Sequence, residues 1–228
     1  VEDSDSRKVK LPVGMFSLNK IKSIDDLHSW AKNKGFSKNE YVVISSKLDG
    51  LSLLVSEDDN EVASTRGDGI YGQISTSHYK KIPSKSKVNL SKEFKSIIYS
   101  YGEVVMSRKT FMDKWSVQFQ NPRNLVAGQI NTNEPTDILK DCEYIRYGLV
   151  GYDKKMFKTK SSIFEYLNTI QKTPIKFIVS KLSDLTEESL LSLFTEWNKS
   201  YEIDGLVIEV DNLELQEKLG RETSTSNP

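Results

Sequence analysis

The sequence predicts an α+β domain with antiparallel sheets and peripheral helices. Three observations carry this. Short runs of β-branched and aromatic residues recur from Tyr41 onward, turn-forming residues separate some of them at hairpin spacing, and helical periodicity is confined to a few isolated segments.

Taken in order, residues 1–10 are charged and read as a linker or flexible N-terminus, with 11–228 as the domain proper. Leu11-Pro12-Val13-Gly14-Met15-Phe16-Ser17-Leu18 is apolar enough to pack on that domain. Ser23, with Asp26 three residues on, starts a helix that places Leu27, Trp30 and Ala31 on one face and ends at Gly35. Tyr41 to Ile44 and Leu51 to Val55 are strands, and Asp58-Asp59-Asn60 turns the second into Glu61 to Thr65. Further strands are expected at Ile97 to Met106, Glu143 to Tyr152, Ile175 to Val179 and Ile203 to Val210. Asn121 to Gly128 reads as a loop entering a short helix. Longer helices are expected near Ser161 to Gln171 and Thr186 to Ser200, with Phe164, Tyr166, Phe194 and Trp197 assigned to the core.

Lys plus Arg and Asp plus Glu are both 32, so no net positive field drives non-specific binding to nucleic acid. Any such contact is local; the lysine-rich stretch from Lys80 to Lys95 is a candidate for it, although a solvated basic face is the favoured reading. One cysteine, Cys142, cannot form an internal disulfide, which fits a reducing, intracellular setting; it reads as a structural thiol. Of the two histidines, His28 reads as a helix-surface residue and His78 as a solvated loop residue, and no zinc-ligand spacing is present. No apolar run approaches the roughly 20 residues of a membrane span. The start at Val1 and the polar finish Ser224 to Pro228 read as a segment of a longer protein.

Chemistry centres on Lys47-Leu48-Asp49-Gly50. A lysine that accepts a phosphoryl group must be neutral when it attacks, and needs a cation to hold phosphate and carboxylates for a metal or ribose. Arg66 in Thr65-Arg66-Gly67-Asp68-Gly69 is a candidate cation, brought close by the predicted hairpin, although the string also suits a surface turn. Glu103 lies inside an apolar strand, where an unpaired carboxylate is costly, so it is expected to have a partner. Asp204 heads the apolar strand Ile203 to Val210, and Arg123 in Asn121-Pro122-Arg123-Asn124 is placed to meet phosphate.

In this order, Lys47-Leu48-Asp49-Gly50, Thr65 to Gly69, Gly102-Glu103-Val104, Asn121 to Asn124 with Ala127-Gly128, and Ile203-Asp204-Gly205 resemble the adenylation domain of NAD-dependent DNA ligases. Leu11-Pro12 with Met15 and Ser17-Leu18, and Gln216 to Gly220, resemble its flanking segments. The resemblance implies the nucleotidyltransferase fold shared by DNA ligases and mRNA capping enzymes. It also implies that Lys47 attacks the α-phosphate of NAD to form lysyl-AMP, and that the AMP then passes to the 5′-phosphate of nicked DNA. It implies that Ser17, Leu18, Ser45, Leu48 and Glu209 border the nucleotide, that Arg66 contacts AMP and that Glu103 holds the ribose. Asp204 becomes a candidate ligand for Mg.

The chain departs from the family's pattern at two site positions and at its ends. Ser45 stands where the family has a glutamate contacting adenine, and Glu209 where it has a lysine expected beside the phosphate. The next phosphate-binding motif would begin beyond Pro228, and the N-terminal domain and later DNA-gripping domains are expected from elsewhere in a longer chain or from a partner. Slow or absent NAD-dependent self-adenylation of this segment alone follows as an expectation. An ATP-dependent polynucleotide ligase or capping-type enzyme shares the lysine motif, and a non-catalytic nucleic-acid-binding subunit would explain Glu209.

Overall fold

A computed structural model describes residues 6–15, 18, 20–83, 86–94 and 96–220. Its strands are β1 (Lys8–Lys10), β2 (Tyr41–Leu48), β3 (Leu51–Ser56), β4 (Ala63–Thr65), β5 (Tyr71–Gln73), β6 (Tyr99–Val105), β7 (Glu143–Val150), β8 (Phe177–Lys181) and β9 (Ile203–Val210). Its α-helices are α1 (Ile24–Lys34), α2 (Thr76–Lys81), α3 (Arg108–Lys114), α4 (Pro122–Ile130), α5 (Lys160–Ile170), α6 (Glu187–Trp197) and α7 (Leu213–Leu219). The result is the α+β architecture expected, with every strand pairing antiparallel.

Two sheets dominate, one ordered β8-β2-β9 and the other β4-β3-β6-β7, with β1 and β5 forming a small third. The chain crosses between the large sheets at Asp49-Gly50, so the lysine motif lies where they diverge. Gly50 is required there by close approach: a Cβ would sit 2.0 Å from the Val104 carbonyl oxygen. Alternation along β2 sends Val42 and Ile44 into a core shared with α1 and β9, while Val43 meets Val105, Ile145 and Phe164 between the sheets. The opposite face of the four-stranded sheet, with Leu53, Val55 and Val104, is covered by residues of α2, α3 and α4.

The helix ends follow their local chemistry. Ser23 caps α1 and left-handed Gly35 closes it; Asn121 caps α4 with Pro122 next, and Thr186 and Ser189 form a reciprocal capping box on α6. Three expectations change. Residues 8–10, read as linker, form a strand paired with β5. Of the four aromatics assigned to the core, Phe164 is buried and Tyr166 and Trp197 pack half-buried against core clusters, whereas Phe194 is half-buried and joins none of them. His78 lies on α2 rather than in a solvated loop: it is buried, its Nε2 is 3.2 Å from Thr132 Oγ1, and burial lowers its pKa. Cys142 is buried as expected, and burial pushes its thiol up to about 12.

Candidate active site

The large sheets part to leave an open cleft of about 2580 Å³, well beyond the roughly 300–1,000 Å³ of a fitted small-molecule pocket. It is a canyon able to take a large ligand. One wall carries Ser45, Lys47, Asp204, Val207 and Glu209, the other Ser52, Tyr101, Glu103 and Tyr147, and Leu18, Arg66 and Arg123 also line it.

Register explains the first wall. Lys47 pairs with Gly205, Ser45 with Val207 and Val43 with Glu209, so these residues share one face of the sheet. Between Lys47 and Leu48 the register jumps from Gly205 to Ile203, leaving Asp204 as an extra residue in β9. Strict alternation would turn Asp204 away from the Gly205 face. The bulge returns it, and Lys47 Nζ donates to both Asp204 carboxylate oxygens at 2.8 Å. Gly205, opposite the lysine, leaves room for its stem, with only Lys47 Cδ reaching 4.0 Å from where a Cβ would stand.

A second bulge shapes the other wall. Tyr101 pairs with Gly148 but Gly102 pairs with Arg146, so Tyr147 is the extra residue of β7, and it lines the cleft. Ser52 and Glu103 are direct cross-strand partners; Ser52 Oγ donates to Glu103 Oε2 at 2.8 Å and the Gly50 amide to Oε1 at 3.3 Å. The partner expected for Glu103 is therefore this hydroxyl–amide pair. Burial pushes its carboxyl up to about 7, and the bonds from Ser52 and Gly50 only partly offset that.

The remaining candidates fall around this centre. Asp49 accepts from Arg123 Nη1 at 2.9 Å, tying the start of α4 to the lysine motif. Arg66 is exposed at the end of β4 and lines the cleft beside the β3–β4 pair, as the hairpin predicts. The turn beyond it is held by Asp68, whose carboxylate accepts from the Tyr71 and Ile70 amides and is lowered by those bonds. Leu48 is half-buried between the sheets and Ser45 is buried. Ser17 lies outside the described residues. In the lysine-rich stretch, Lys81 and Lys87 are paired with Asp137 and Asp59.

Two cleft residues escaped sequence reading. Tyr147 sits in an ordinary apolar strand, and Lys160, the first residue of α5, reaches back to donate to the Tyr147 carbonyl at 2.9 Å. Neither has a local motif to mark it.

A sequence profile described as the NAD-dependent DNA ligase adenylation domain matches residues 3–226. The chain belongs to that family. It is 33% identical over 213 residues to a DNA ligase of Acanthamoeba polyphaga mimivirus, covering 90% of this chain and 31% of the relative. It is 30% identical over 230 residues to a DNA ligase of Clostridium kluyveri, covering 94% and 34%. The chain thus spans about a third of the length of the curated relatives it matches. An archaeal ATP-dependent RNA ligase shares the fold, with a TM-score of 0.50 at 12% identity over 88% of this chain and 46% of that one. Among the described residues, no helix is long and apolar enough to cross a membrane.

Proposed function

We propose that this chain is the adenylating module of an NAD-dependent DNA ligase, with Lys47 as the nucleophile. The observation that carries the reading is the Lys47–Asp204 contact, made at a bulge on the floor of an open cleft. Nζ attacks the α-phosphorus of NAD, an N–P bond forms, the P–O bond to nicotinamide mononucleotide breaks, and Nζ loses a proton. Asp204, at 2.8 Å, stands nearest that proton. The AMP then passes to a 5′-phosphate of nicked DNA inside the cell, with the parts not present in this segment supplied by the rest of a longer chain or by a partner.

The other roles follow from position. Glu103 meets the ribose, its carboxyl held by Ser52 and Gly50; Arg66 meets AMP at the rim; Leu18, Ser45 and Leu48 border the nucleotide, and Ser17 is assigned there from sequence alone. For magnesium the chain offers Asp204, and among the described residues no three ligating side chains converge. One carboxylate suits an ion held chiefly by substrate phosphate and water, which would neutralise phosphate charge. Glu209 is assigned to the base rather than the phosphate. It lies four residues along β9 from Gly205, roughly 13 Å at the rise of a strand, which favours the base end of a nucleotide whose phosphate sits at Lys47.

Intact-mass measurement of the chain after incubation with Mg and either NAD or ATP tests the reading. An AMP adduct formed from NAD and lost in Lys47→Arg supports it; formation from ATP alone favours the ATP-dependent class. No adduct from either, with the flanking ligase domains restored, overturns catalysis and leaves a nucleic-acid-binding role for the fold.

A further inference from the structure

Two charged side chains in the cleft have more hydrogen-bonding capacity than the described residues use. Lys160 is only 13% exposed; its Nζ donates to the Tyr147 carbonyl, lies 4.8 Å from the centre of the Phe164 ring and stands 3.9 Å from Glu209 Oε2. That last distance is an ion pair but too long for a hydrogen bond. The Glu209 carboxylate, 29% exposed, accepts no hydrogen bond among the described residues. An ammonium carries three donors and a carboxylate about four acceptor positions, so both groups can still bond a ligand that enters the cleft.

Their placement gives the capacity a use. Glu209 shares the cleft face with Ser45 and Lys47, toward the far end of β9 from the bulge that holds Asp204. A nucleotide laid along this face with its phosphate at Lys47 directs its base toward Glu209 and Lys160. The two groups then offer one donor and one acceptor side by side, which matches a base edge presenting an acceptor next to a donor.

We propose that Lys160 and Glu209 together read the base of the bound nucleotide, Lys160 donating to N1 of adenine and Glu209 accepting from its N6 amino group. The proposal rests on the nucleotide-binding reading of the cleft. It gives Lys160, which no motif marks, a specificity-determining role, and makes Glu209 a working part of the site.

Isothermal titration of the 228-residue chain with AMP, IMP and ribose 5-phosphate tests it. IMP reverses the edge, placing an N–H at position 1 and a carbonyl at position 6. The native chain is expected to prefer AMP over IMP by roughly tenfold or more, the scale of a charge-assisted hydrogen bond. Lys160→Met is expected to weaken AMP by about that factor and erase the preference, with ribose 5-phosphate binding unchanged. Because Lys160 also holds the Tyr147 carbonyl, Glu209→Gln is the second variant: it leaves that bond intact and is expected to weaken the preference for AMP. If native chain binds AMP while both variants bind and discriminate as it does, base reading is overturned and the nucleotide site stands. If the native chain binds neither AMP nor ribose 5-phosphate, the nucleotide reading falls and takes this proposal with it.

Discussion

Two ion pairs in this chain use similar groups in opposite ways. Arg146 and Glu57 are 2% and 5% exposed, and the guanidinium makes three hydrogen bonds: Nε donates to Glu57 Oε1 at 2.6 Å, Nη2 to Oε2 at 3.1 Å and to the Ser86 carbonyl at 2.9 Å. Lys47 and Asp204 are 43% and 37% exposed and face an open cleft. The first pair is closed to exchange, because every alternative partner has been excluded with the water. The second can exchange its partner for an incoming phosphate at little cost. Accessibility, rather than charge itself, separates the pair proposed to react from the pair that is structural.

The largest stability effect is expected from breaking the closed pair. Glu57→Gln leaves the Arg146 guanidinium buried without a counter-charge, and removing one member of such a pair costs roughly 3–5 kcal/mol. Urea unfolding of the variant checks this. A loss below about 1 kcal/mol, the scale of exposed pairs, would place both pairs in one class.

Glu103 stands between the two regions, buried like Glu57 but opening on the cleft like Asp204. Its folded pKa of about 7 lies above the ordinary 4.5 because burial disfavours the ionised form, so the stability that goes with the neutral carboxyl is fully present below about 4.5 and lost as pH rises through 7. Glu103→Gln cannot ionise. It is expected to gain on the native chain by about 3 kcal/mol above pH 8, with the difference closing between pH 7 and 4.5. Unfolding free energies across that range check the sign, and a difference independent of pH would show that burial does not perturb the group.

How much of this was readable in advance depended on the range of the determining interactions. The hairpins, the helix caps and the order of the motifs are local, and their elements formed close to the expected positions. The bulge at Asp204 was half legible: a glycine inside a strand signals one, but alternation alone turns Asp204 to the wrong face. Lys160 and His78 were not legible. The first acquires its meaning from β7 and β9 and the second from Thr132, contacts set by packing rather than by neighbours in sequence. Strands β1 and β5 are three residues each, too short for periodicity to reveal.

The smallest stability effect is expected at the open pair, and there the contrast with function is sharpest. Asp204→Asn keeps the side chain's shape and removes its charge; an exposed pair contributes about 0–1 kcal/mol, a shift of no more than roughly 2–4 °C in a domain of this size. Adduct formation on Lys47 is expected to fall nonetheless, because the group nearest the departing proton has lost its negative charge. Thermal melting and intact mass on one preparation separate these effects. A large loss of stability would make the pair a fastening of β2 to β9, akin to Arg146 and Glu57. Retention of both stability and adduct would leave Asp204 outside the reaction and require another group near Lys47 to take the proton.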